Sequence, residues 1–130
     1  MSDDISNKLT QIETLLNDCK TRINDIQGLL LVSREGLPIS ASLSTNEETD
    51  EDRLSAMTAA ALNLAERVVA ELDKGNLKEM IVKGDAGLVI IIQVGLEAVL
   101  TGTTLSDAKL GLILLEMKRT AKSISQIMLS

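Results

Sequence analysis

Leu29-Leu30-Leu31-Val32-Ser33-Arg34-Glu35-Gly36-Leu37-Pro38-Ile39-Ser40-Ala41-Ser42 reads as two extended apolar segments joined by a tight polar turn. A short hairpin needs a residue at positive φ, and Gly36 supplies it without steric cost. Pro38 has no N–H to give to a ladder, which confines the second segment to a sheet edge. The stretch therefore predicts a β-hairpin whose second strand closes one end of a sheet.

Before the hairpin, Ile5, Leu9, Ile12, Leu15, Leu16, Cys19 and Ile23 recur at steps of three and four, the pattern of an amphipathic helix over residues 5–23. Asn24-Asp25 ends it, and residues 26–33 form the first strand. After the hairpin comes a polar connection in which Thr49 and Asp52 have the spacing of a capping box. A second helix is expected from about Asp50 to Asp73, with the acidic turn Asp50-Glu51-Asp52 at the positive end of its dipole and Gly75 as its cap.

Residues 77–83, 86–93 and 96–103 are β-rich runs separated by Gly84-Asp85 and Val94-Gly95, which predicts a meander. Leu88-Val89-Ile90-Ile91-Ile92 is apolar on both faces, so that strand is expected at the centre of a sheet covered on both sides. The run 77–83 mixes charge with apolar residues and is expected at the other edge. A last helix starts at Ser106-Asp107 and covers the sheet with Leu110, Ile113, Leu114, Met117, Ala121, Ile124 and Met128; Gly111 inside it predicts a close backbone contact. The order αββαβββα makes an α+β fold: three α/β/α layers about a central five-stranded antiparallel sheet, one domain over 1–130.

The second helix carries two patterns. Leu54, Met57, Ala61, Ala65, Val68 and Leu72 form a stripe expected to pack on the sheet. On the other side, Ala56, Ala59, Ala60, Asn63, Arg67 and Ala70 make a small-residue surface with little charge, where a solvated helix would carry Lys and Glu. Such a face lets a second helix approach closely, and Arg67, with Arg53 at its edge, offers anchors for an acidic partner.

Composition narrows the chemistry. The 130 residues carry a net charge of −6 and no histidine, phenylalanine, tyrosine or tryptophan. That removes His bases and ligands, the Tyr acid and any aromatic platform for bases. No basic stripe is present for nucleic acid. No P-loop string occurs, the pairs Glu47/Glu48 and Asp50/Asp52 sit in polar segments with no apolar pocket to raise a pKa, and serines lack a histidine partner. Cys19 is the only cysteine and lies in an apolar stripe, as an inert core thiol does. The acidic Met1-Ser2-Asp3-Asp4 start does not resemble a signal peptide, and no apolar run is long enough to span a bilayer, so a cytoplasmic protein without membrane insertion is expected. No cofactor or metal is expected.

The element order, the Gly36-Leu37-Pro38 turn, the alanine-rich middle helix and the closing Leu110-Gly111-Leu112-Ile113-Leu114-Leu115-Glu116-Met117 together resemble the Roadblock/dynein light chain family over nearly the whole chain. The resemblance implies a profilin- or longin-related shape and a non-enzymatic homodimer, similar to prokaryotic regulators, that binds a Ras-like small GTPase. It implies that middle helices and third strands meet in the dimer, here through Ala56, Ala59, Ala60, Ala70, Met80 and Val82. The paired helices would then offer Arg53, Met57, Ala60, Asn63, Leu64 and Arg67 to the GTPase. A structural adaptor of the dynein light chain kind, joining other Roadblock or longin-like subunits without affecting GTP turnover, is the alternative; a small-ligand-binding domain on a related scaffold is the third.

Overall fold

The computed structural model describes residues 2–43 and 50–130. Its elements are α1 (Ser2–Arg22), β1 (Ile26–Ser33), β2 (Pro38–Ser42), α2 (Glu51–Glu71), β3 (Glu79–Gly84), β4 (Gly87–Val94), β5 (Ala98–Thr104) and α3 (Leu110–Leu129). The five strands form one antiparallel sheet in the order β2-β1-β5-β4-β3. The expected order and layering are present. Thr49, and with it the expected capping box, lies outside the described residues, as do Glu47 and Glu48.

The Gly36 turn closes the β1–β2 hairpin at φ 93°. Its amide donates to the Ser33 carbonyl at 3.0 Å, and the Ser33 amide to the Leu37 carbonyl at 2.8 Å. Pro38 opens the edge strand β2, opposite Val32 at an irregular step of the β1–β2 register. β3 forms the opposite edge.

Alternation sorts each strand between two layers. Leu29 and Leu31, Ile90 and Ile92, and Leu100 point to one face, where Ile12, Leu16 and Cys19 of α1 and Ile113, Met117 and Ile124 of α3 cover them in the main core. Each such large side chain, when fully buried, contributes about 1.5–3 kcal/mol. Ile91 and Val99 point to the other face and meet Leu62 of α2. At the edge of the main core, buried Glu116 accepts from Arg22 Nε and from Arg119 Nη1, both at 3.2 Å, tying the end of α1 to α3.

Four expectations are corrected. The middle strand is β5, not the run 88–92, which lies second from the edge. Helices on both sheet faces can bury a strand beside an edge as fully as a central one, so two-sided apolarity does not fix strand order. α3 begins at Leu110, not near Ser106, and Lys109 at its N-cap makes no side-chain cap. Gly111 is exposed with open space beside it. The close approach is at Gly102, where a Cβ would lie 2.8 Å from the Met117 sulfur. Finally, α2 closes through Asp73, not Gly75: Asp73 sits at φ 55° and donates to Ala70 O, while Lys74 donates to Val69 O at 2.9 Å.

Candidate functional site

α2 docks by small and weakly polar side chains. Ser55, Thr58, Ala59 and Leu62 are its buried residues. Ser55 Oγ donates to the Glu51 carbonyl at 2.9 Å, and Thr101 Oγ1 reaches Thr58 Oγ1 at 3.4 Å, so these hydroxyls are largely satisfied within the layer. The hairpin turn comes close, since a Cβ on Gly36 would meet Ala59 Cβ at 3.3 Å. Arg34 Nη2 donates to Glu66 Oε1 at 2.7 Å and clamps that turn to the helix.

This docking overturns the expected inward stripe. Met57, Val68 and Leu72 are 58%, 50% and 64% exposed, while Ala59, placed on the partner face by the sequence, is buried. The helix is turned by about 100° from the expected orientation, the angle of one residue. Both stripes have helical spacing, and the larger apolar residues belong to the outer one. Burial instead follows the small residues because Gly36 and the hairpin hold α2 close to the sheet.

The outer surface of α2 carries Arg53, Ala56, Met57, Ala60, Asn63, Leu64, Arg67 and Ala70, all exposed. Neither arginine makes an ion pair among the described residues. The six residues expected to bind a partner therefore share one solvent-facing strip. Of the residues expected at a dimer contact, Ala59 is removed by burial, Met80 is half-buried and Val82 is 45% exposed. Sequence reasoning assigned Val68 and Leu72 to the core and so missed their place in the exposed apolar strip; the shared helical period held no signal to separate the two faces.

The neighbouring sheet surface is only partly covered: Ile91 is buried under Leu62, Met80 and Val89 are half-buried, and Val82 is exposed. α2 packs over β1 and β2. On the same face, Met80 and Val82 of β3 stand beside Ile91 and Val89 of β4. A cleft of about 220 Å³ runs between the two halves, lined by Leu30, Leu54, Met57, Ala61, Val82 and Val89 among others. Met57, Ala61, Leu64, Val68 and Leu72, at steps of three and four, line the side of α2 that continues from this cleft. The β3 backbone presents an unpaired ladder at its outer side.

Polar chemistry at the strip is sparse. Among the described residues, no group of His, Cys, Asp or Glu could hold a metal ion, and no helix is long and apolar enough to cross a membrane. Cys19 is distant in the fold, in the main core under α1, where burial pushes its thiol above the ordinary range. The arrangement can bury apolar surface and offer two arginines to acidic groups.

A sequence profile of the Roadblock/LC7 domain matches residues 12–104. The uncharacterized protein MJ1340 of Methanocaldococcus jannaschii is 34% identical over 99 residues, 76% of this chain and 84% of that one. MglB of Myxococcus xanthus has a similar fold, with a TM-score of 0.84 at 19% identity over 92% of this chain and 89% of the other. A structure of MglB with a tetrameric arrangement is similar to the same degree, with a TM-score of 0.84 at 18% identity and the same shares of the two chains.

Proposed function

The chain belongs to the Roadblock/LC7 domain family, and from that membership and the outer surface of α2 we propose that it is a non-enzymatic, homodimeric platform that binds and regulates a Ras-like small GTPase. The observation that carries the reading is the exposed apolar strip Met57, Leu64, Val68 and Leu72 beside the unpaired edge strand β3. A soluble monomer seldom leaves such a contiguous strip in water, and a two-fold partner covers strip and edge together. In that dimer β3 pairs with its copy, Val82 and Met80 lie under the partner's α2, and the Met57-to-Leu72 side forms the helix seam. The seam thus shifts from the alanines to the larger residues, and Ala56 and Ala60 remain on the outer platform. MglB, which is similar in fold, occurs in a tetrameric arrangement, and this supports the reading that the present chain also self-associates.

The platform left facing out is Arg53, Ala60, Asn63 and Arg67, with Leu64 and Met57 at its border to the seam. It regulates by holding the GTPase switch segments in place, so that hydrolysis uses the GTPase's own residues. An arginine finger must reach into a phosphate site, and Arg53 and Arg67 stand on the convex side of a helix. The test is single-turnover GTP hydrolysis by Ras-like GTPases of the same genome with and without this protein. A rate that rises saturably supports regulation; tight binding with an unchanged rate in both directions favours the structural adaptor.

A further inference from the structure

Charge is unevenly placed in this acidic chain. Residues 50–73 hold six acidic and two basic side chains, whereas residues 74–130 hold five acidic and seven basic ones. On the face opposite α2, a concavity of about 410 Å³ lies between α3 and the β3–β4 side of the sheet, and three lysines line it: Lys78, Lys118 and Lys122. Ser125 and Gln126 line the same space with neutral donors.

The carboxylates nearby do not neutralise this group. Glu79 reaches Lys118 Nζ at 3.4 Å, and Glu116 is occupied by Arg22 and Arg119. Lys78 and Lys122 make no ion pair among the described residues. Lys118 and Lys122 stand four apart on one helix, where like charges repel. Two exposed ammonium groups without an ion-pair partner at one concavity, in a chain of net charge −6, offer a dianion two charge-assisted contacts.

We propose that this concavity binds a phosphate monoester. Such a group carries about −1.5 to −2 charge near neutral pH and matches Lys78 and Lys122, whereas a single carboxylate would leave one of them unmatched. Its oxygens accept from the two ammonium groups, from the side-chain amide of Gln126 and from the Ser125 hydroxyl. The volume exceeds that of a phosphoryl group and leaves room for the esterified alcohol, in the range of small-molecule sites. The shared chemistry fits a soluble sugar- or glycerol-type phosphate and the headgroup of a phosphatidic-acid lipid alike.

The probes are glycerol 3-phosphate, titrated into isotope-labelled protein at low salt and followed by amide chemical shifts, and vesicles containing phosphatidic acid, followed by co-sedimentation. The expected result is saturable movement of the Gly95, Lys122 and Ser125 amides, weakened about tenfold by each of Lys78→Gln and Lys122→Gln, and unchanged by Lys20→Gln on α1. Saturation by the soluble ester assigns a soluble ligand; binding to vesicles alone, lost in the Lys78→Gln, Lys122→Gln double variant, assigns a lipid headgroup. No saturable binding to either probe, or equal binding by the double variant and the parent protein, overturns the proposal. The site lies on the sheet face opposite α2, so a protein that binds no GTPase can still bind the ester, and the two failures are separable.

Discussion

Leu64→Ala is the perturbation that isolates the proposed helix seam. Leu64 is 62% exposed in the single chain, so its removal leaves the monomer core intact and the melting temperature of a fully diluted sample nearly unchanged. Complete burial of a leucine gains about 1.5–3 kcal/mol, and roughly three fifths of that remains to be gained on association, about 1 kcal/mol or more per chain. A two-fold interface loses the contact twice, about 2 kcal/mol, which corresponds to roughly a 30-fold weaker dimer. Sedimentation velocity over a dilution series, recorded by interference optics because the chain has no Trp or Tyr, measures the dissociation constant. Leu112→Ala, at a 45% exposed position on α3, serves as the control and is expected to leave it unchanged. A Leu64→Ala dimer as tight as the parent would refute the seam.

Gly102→Ala places a Cβ against the Met117 sulfur and is expected to lower stability by about 1–3 kcal/mol, whereas Gly111→Ala, with open space around it, should raise it by about 0.5–1 kcal/mol; thermal melts with opposite shifts check both. Cys19, buried with its thiol pushed up by desolvation, stays protonated at neutral pH and should react with a disulfide reagent only after unfolding; rapid labelling of the native protein at neutral pH would contradict this. The Arg53→Ala, Arg67→Ala double variant should keep its effect on the catalytic rate of a bound GTPase at saturation while binding more weakly, and abolition of the rate effect at saturation would establish an arginine finger instead.

Much of the fold was legible because local chemistry has few solutions at certain positions. Gly36 and Pro38 specify a turn and an edge, and both are found there. The charged run ending at Lys83 marked the other edge for a similar reason. Ile12, Leu16 and Cys19 gave the buried side of α1, while Ile5 and Leu9 of the same stripe extend beyond the core and are exposed. What was not legible depended on tertiary contact. The orientation of α2 was set by Gly36 and the Arg34–Glu66 clamp, neither of which appears in the helix's own period. Gly111 and Gly102 look equally anomalous in sequence, and only the packing of Met117 distinguishes them.

The candidate strip was legible in part for the same reason. Arg53, Ala60, Asn63 and Arg67 were placed on the outside correctly because the small-residue surface is wide enough to tolerate the rotation of the helix. Ala59 fell at its margin and is buried; Met57, Val68 and Leu72 fell on the other side of the error and are exposed. Misplacing large apolar residues in the core concealed the apolar surface that most strongly suggests a partner.

The most direct measurement is size-exclusion chromatography with light scattering, detected by refractive index, of this protein alone and mixed with Ras-like GTPases of the same genome loaded with GTP or GDP. The account predicts twice the mass of the 14.0 kDa chain when alone, and a larger complex with one GTPase in its GTP form only. A monomer at micromolar concentration that joins none of the GTPases in either nucleotide state would contradict it.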